Sequence, residues 1–231
     1  LQIGVHVPKD LIQEEDRIRT RHAAPGSRPL KAAFSESVQK GVAARMEGVE
    51  FVKERPDLMI LIDCLTLRVD VDIRPVFIYG RYRKLSRGIP QTRWPCRSCR
   101  GRSEGCEACE GTGLQYPDSV QDLIGEPFRL VLSAENTSFH GMGREDIDVR
   151  CLGRGRPFVL EVKHPRVRRT DLEEVMKVVN SNGADKIEIS DLRWTNRSEV
   201  SRVKETRAEK SYTIRFSVEE QPEESLIIES I

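Results

Sequence analysis

What the chain lacks narrows it first. No apolar run in its 231 residues approaches the ~18 needed to cross a bilayer. No basic-then-apolar export signal opens it. The expectation is a soluble, cytoplasmic protein with no membrane partner. There is no internal repeat and no long low-complexity tract. No glycine-rich loop follows a strand pattern, which argues against an organic cofactor cradled by such a loop. No methionine opens the chain, which starts at Leu1 and ends in the apolar run SLIIESI. The expectation is a chain truncated at both ends.

Acids are missing where cations collect. From Ile73 to Ser103 there is no Asp or Glu, while Arg74, Arg81, Arg83, Lys84, Arg87, Arg93, Arg97, Arg100 and Arg102 all fall in that window. A second basic stretch, Arg154 to Arg169, carries Arg154, Arg156, Lys163, Arg166, Arg168 and Arg169 against one acid, Glu161. The net charge of +1 therefore hides segregated charge. Local excess of arginine is what phosphate binding needs, and arginine also stacks on bases. With Tyr79, Tyr82 and Trp94 interleaved, the pattern points to RNA and makes Tyr79 and Arg81 candidate contacts.

Hydrophobic residues make up 38% and charged residues 32%, enough to build a core. Leu30, Phe34, Val38, Val42 and Met46 recur at fours and predict a helix over 28–47. VEFV (49–52), LMILIDC (58–64) and LRVDVDI (67–73) read as strands. Ser119 to Ile124 suggests a short helix. IDVRCL (147–152) and PFVLEV (157–162) read as two strands about a Gly-Arg-Gly-Arg turn. Thr170 and Glu173 form a capping-box pattern before LEEVMKVVN, with Gly183 as the stop. DKIEISDL (185–192) and SYTIRFSV (211–218) alternate as strands do. The expected class is α+β with a mainly antiparallel sheet. The divisions are an α/β unit over 1–88, a loop-rich insert over 89–116 and the main domain over 117–231.

The insert holds Cys96-x-x-Cys99 and Cys106-x-x-Cys109. Two such knuckles supply four thiolates and close a tetrahedral zinc site with no open position, so the site would be structural. Zinc fits best, with an iron–sulfur cluster or disulfides as alternatives; the missing export signal weighs against disulfides. Cys64 and Cys151 read as packing residues.

In HGMGREDIDVR, His140 to Arg150, the glycines allow a sharp bend and the alternation puts Asp146, Asp148 and Arg150 on one strand face. Asp146 is then either half of an ion pair with Arg144 or Arg150, or an ionised nucleophile or base. Spacing alone leaves both open. The longer segment FHGMGREDIDVRCLGRGRPFVLEV closely resembles the signature of archaeal-type tRNA pseudouridine synthases that carry an RNA-binding THUMP domain. FIYGRYRKLSRGIPQTRWPCRSC resembles that family's junction between its RNA-binding and catalytic domains, and RAEKSYTIRF its later strand motif.

The resemblance implies a pseudouridine-synthase-like domain behind a partial THUMP-like unit. It implies isomerisation of uridine to pseudouridine at positions 54 and 55 of the TΨC loop of tRNA, without a cofactor. Asp146 would be the catalyst, attacking the ribose or assisting glycosidic cleavage. Arg144 would pair with it or with a phosphate. Tyr212 in Lys210-Ser211-Tyr212 would stack on the target base, with Lys210 beside it. A non-catalytic zinc-dependent RNA-binding module is the alternative, sharing the cysteines and basic patches but needing no Asp146.

Overall fold

The computed structural model describes residues 1–24 and 26–217. Two sheets organise them. In the first, β1 (Gln2–His6) lies parallel to β2 (Leu58–Asp63), which pairs antiparallel with β3 (Val69–Ile73). The long return from β1 to β2 carries α1 (Lys9–Arg21) and α2 (Leu30–Ala43), as a parallel crossover requires. Ile3 and Val5 face Ile60 and Ile62 across the β1–β2 register and supply its buried side.

The second sheet is antiparallel throughout, in the order β5 (Asn136–Gly141), β6 (Cys151–Lys163), β4 (Val76–Lys84), β7 (Ile187–Thr195). One face buries Ile78, Tyr82, Phe158, Leu160, Val162, Ile187 and Ile189 under α3 (Val120–Val131) and α4 (Leu172–Asn182). Ile124, Phe128, Val175 and Val179 come down from these helices. The other face carries Phe77 and Val159 beneath Val203 of α5 (Arg197–Glu205). The α+β class with mainly antiparallel pairing holds.

Several local expectations give way. VEFV is no strand: Val52 N donates to Leu1 O, and no ladder follows. The helix over 28–47 ends at Ala43, leaving Met46 outside. Leu67 leaves the third strand because the Asp63 carboxylate accepts from Leu65 N and Thr66 N and turns the chain there. The helix begun at Ser119 runs to Val131, through Pro127. Asp171, not Thr170, caps α4, accepting from Glu173 N at 2.8 Å.

The largest change concerns β4. The α/β unit is expected over 1–88, yet residues 76–84 form a strand between β6 and β7. Its even-numbered residues, Val76 to Lys84, are all buried, a period-two pattern that the arginine-rich composition disguised. At its centre Gly80 sits where the register slips by a bulge against β7. A Cβ there would lie 2.6 Å from Leu192 Cδ2 and 2.8 Å from the Phe158 ring. Gly80→Ala should therefore cost about 2 kcal/mol through overpacking, read as a lower denaturant midpoint with unchanged slope.

Candidate active site and metal centre

The loop from Gly141 to Arg150 joins β5 to β6 at one end of the second sheet. Its backbone is bound at several points. Met142 N donates to Pro157 O, extending the β5–β6 pairing by one bond. Arg156 Nη1 donates to Met142 O at 2.7 Å, and Gln91 Nε2 to Gly143 O at 3.1 Å. Gly141 has no room for a side chain, because a Cβ would stand 2.9 Å from Gln91 Nε2. Gly143 turns the chain with φ +71°.

Glu145 then points inward. Its Oε2 accepts from Tyr82 OH at 2.6 Å and Gln91 Nε2 at 2.9 Å, and lies 3.0 Å from Arg156 Nε. Burial and the Glu145 charge push the Tyr82 hydroxyl far above its ordinary pKa, so it stays a neutral donor. Lys84, wholly buried on β4, donates to Ile89 O, Asp146 O and Ile147 O at 3.0, 2.9 and 3.2 Å. Burial depresses its pKa, and the negative charge of Glu145 works against that.

Asp146 is exposed at the crest. Its Oδ1 accepts from Ile147 N at 2.7 Å, and among the described residues Oδ2 has no protein donor. The strand expected over 147–150 does not form. A strand offers its carbonyls to a neighbouring strand, but here Lys84 takes those of Asp146 and Ile147, and Gly88 N takes that of Ile147 as well. The alternation of Asp146, Asp148 and Arg150 is thus a turn, with all three exposed.

The Gly-Arg-Gly-Arg segment is a bulge inside a single strand β6 rather than a turn between two. Tyr82 pairs with Arg156 and Lys84 with Cys151, so the intervening residues loop out. Arg81 holds that bulge, donating from Nε to Arg154 O and from Nη2 to Gly155 O, both at 2.7 Å. Tyr79 lies on the α5 side of the sheet with the Arg193 guanidinium 4.3 Å from its ring centroid. Arg144 is exposed and stands over Trp94, 5.5 Å from the ring centroid, and among the described residues it makes no ion pair.

The structure does not bring the later motif to this loop. Residues 211–217 form no secondary structure; Tyr212 is 70% exposed and Lys210 bonds only its neighbour Ala208 O. The strand expected at SYTIRFSV is absent over 211–217, and residue 218 lies outside the described residues, as does SLIIESI. Alternation supplies a face, but a strand exists only on a hydrogen-bonded partner, and none of the described strands pairs with it.

Sequence reasoning missed Glu145, Lys84, Tyr82, Gln91 and Arg156, and counted Tyr82 and Lys84 toward an RNA-facing surface. The signal was present: both sit at inward positions of an alternating strand, and an inward lysine must find acceptors.

In the insert the four cysteine sulfurs lie within 4.8 Å of one another. Cys99 and Cys109 stand 3.8 Å apart. That matches the edge of a tetrahedron with ~2.3 Å zinc–sulfur bonds, about 3.8 Å, and not the ~2.05 Å of a disulfide. The two knuckles are built alike. After Cys99 come Arg100 at φ +54° and Gly101 at +85°; after Cys109 come Glu110 at +50° and Gly111 at +77°. Burial opposes ionisation of Cys99, yet the backbone of Ser103 and Gly101 holds its thiol down to about 6. Gly113 N donates to Cys109 Sγ at 3.2 Å. The donor set fits a soft tetrahedral ion.

A family profile described as Pus10, C-terminal, matches residues 77–230. The chain belongs to the Pus10 family. The match opens at the second residue of β4, where strand pairing also starts the second sheet. The protein named tRNA pseudouridine synthase Pus10 of Methanothermobacter marburgensis is 42% identical over 219 residues, covering 94% of this chain and 53% of that protein. Those of the same name from Methanothrix thermoacetophila and Methanocaldococcus jannaschii are each 42% identical, covering 94% and 91% of this chain and 48% and 44% of their own. The chain thus spans about half the length of these curated relatives.

Proposed function

We propose that this chain carries the catalytic region of an archaeal-type tRNA pseudouridine synthase that isomerises uridine at positions 54 and 55 of the TΨC loop in the cytoplasm. The observation that carries the reading is Asp146: an exposed carboxylate with one oxygen pinned by its own loop and the other without a protein donor among the described residues, inside the motif by which the chain resembles the family. Asp146 either attacks the ribose C1′ or assists departure of the uracil from it, and the N1–C1′ bond breaks. The uracil turns and the C5–C1′ bond forms, with the carboxylate leaving C1′ as an anion if it had bonded there. The C5 proton leaves and N1 gains one, so the reaction balances without an organic cofactor.

The partial THUMP-like RNA-binding region lies within residues 1–88, and the insert over 89–116 holds a structural zinc ion through Cys96, Cys99, Cys106 and Cys109. Arg144, Tyr79, Lys210 and Tyr212 contact the RNA, Tyr212 by stacking on the flipped base. Arg81 serves the site through the β6 bulge it holds. Incubating the protein with transcribed tRNA carrying tritium at uridine C5 tests the activity: tritium release at positions 54 and 55 supports it. Tight binding without any release favours the non-catalytic RNA-binding module instead.

Much of the cationic stretch is committed within the protein. Arg83 pairs with Glu188, Arg93 with Asp122 and Arg168 with Asp57. Arg97, Arg100 and Arg102 of the insert are exposed and have no ion pair among the described residues. Replacing all three with Ala should reduce the slope of log affinity against log salt by about 2, measured by tRNA binding across a salt series. An unchanged slope would remove the insert from the RNA footprint.

A further inference from the structure

The Asp146 loop is gripped by two buried ions, Glu145 and Lys84. Glu145 is almost wholly enclosed, its side chain 2% exposed. Among the described residues its Oε1 has no partner, while Oε2 gathers Tyr82, Gln91 and Arg156. Lys84 spends all three of its donors on main-chain carbonyls, two of them belonging to Asp146 and Ile147. Burying ions is costly, and apolar replacements of such groups are often neutral or stabilising. The apolar cluster between the sheet and α3 and α4 already holds the domain together. Stability therefore does not account for this network, but its targets do. Its bonds run to Met142 O, Gly143 O, Asp146 O, Ile147 O and the Glu145 side chain, which lies inside the loop. Without them a polar surface loop would move freely.

We propose that Glu145 and Lys84 are positioning residues for Asp146: they hold the loop so that the Asp146 carboxylate meets the ribose in one geometry. The proposal rests on Asp146 being the catalyst. A carboxylate must approach its target to about 3–3.5 Å in line, and a misplacement of about 1 Å can cost 10²-fold. Glu145 acts from within the loop through Tyr82, Gln91 and Arg156. Lys84 acts from β4, tying the peptide of Asp146 itself to the sheet.

The test uses the native-length protein, transcribed tRNA, single-turnover rates at saturating enzyme, and tRNA binding measured separately. Glu145→Gln keeps the size and an oxygen for Tyr82 but loses the charge facing Arg156. Its single-turnover rate should fall between about 10-fold and 10²-fold with the tRNA Kd within about twofold. Tyr82→Phe, which removes one donor, should fall less. Lys84→Met should behave like Glu145→Gln, and if it fails to fold the result is read from Glu145→Gln. A wild-type rate in Glu145→Gln, with Asp146→Asn inactive, overturns the positioning role and leaves Asp146 as catalyst. Rate and Kd worsening by the same factor overturns it too, because Glu145 would then hold only the fold. A wild-type rate in Asp146→Asn removes the catalyst reading and the positioning role with it.

Discussion

Asp146→Asn should abolish tritium release from tRNA while leaving tRNA affinity within about twofold. The amide is nearly isosteric, and its oxygen can still accept from Ile147 N, so the turn over residues 146–149 persists. The carbonyl bonds of Asp146 and Ile147 to Lys84 are main-chain and survive any side-chain change. What is lost is the charge on the free oxygen. An amide is a poor nucleophile and cannot take up positive charge developing at C1′ as an anion can. Removing a group that enters the covalent chemistry should lower the rate by at least about 10⁴-fold, roughly 5 kcal/mol of transition-state stabilisation. Affinity should hold, because the change leaves untouched the exposed arginines of the insert and the loop, which are the proposed phosphate contacts. A rate within tenfold of wild type would show that another residue performs the chemistry.

The part of this site legible in the sequence was the part whose meaning is local. Cysteine spacing alone located the thiol cluster, because a CxxC knuckle is its own geometry and needs no partner from elsewhere. Asp146 stood out through the segment around it. The Glu145 network was not legible, because it depends on which strand lies beside which. Lys84 and Tyr82 looked like members of a basic, aromatic surface until β4 was seen between β6 and β7. The same tertiary pairing cancelled the strand expected over 147–150, since Lys84 captures the carbonyls that a strand would have used. α5 (Arg197–Glu205) also went unread: its sequence is mostly polar, yet Asn196 caps it at Ser198 N and Val203 reaches the core. At the fold level β6 and β7 were recognisable because apolar residues run through 157–160 of β6 and alternate at Ile187 and Ile189 of β7. β4 was not, because arginine occupies so many of its outward positions.

Removing the metal should undo the insert and leave the sheet standing. Few apolar residues are buried between Arg93 and Tyr116; two of those that are, Cys96 and Cys109, belong to the metal set. The backbone there is also strained, with Arg100, Ser103 and Glu110 all at positive φ. Three such non-glycine positions cost on the order of 3 kcal/mol or more. Structural zinc supplies about 10–16 kcal/mol in small domains, enough to offset that and the ordering of the chain. The native protein should contain one zinc per chain. Cys106→Ser with chelator should bring it close to none, and trypsin cleavage after Arg97, Arg100 and Arg102 should accelerate by more than about tenfold. The second sheet should keep its melting transition, since the only insert residue in its core is Ile89, which lies before the cysteine segment. The effect should nevertheless reach the Asp146 loop. The neck of the insert is closed by the bond from Gln115 N to Trp94 O and by the edge-on packing of Trp94 on Tyr116 at 5.5 Å, and it is Trp94 that Arg144 covers. A loosened neck releases Arg144 two residues from Asp146, so metal-free protein should lose turnover while Glu145 still holds the loop beneath. Zinc content near zero with unchanged protease resistance would mean that the four thiols need no metal to hold their fold.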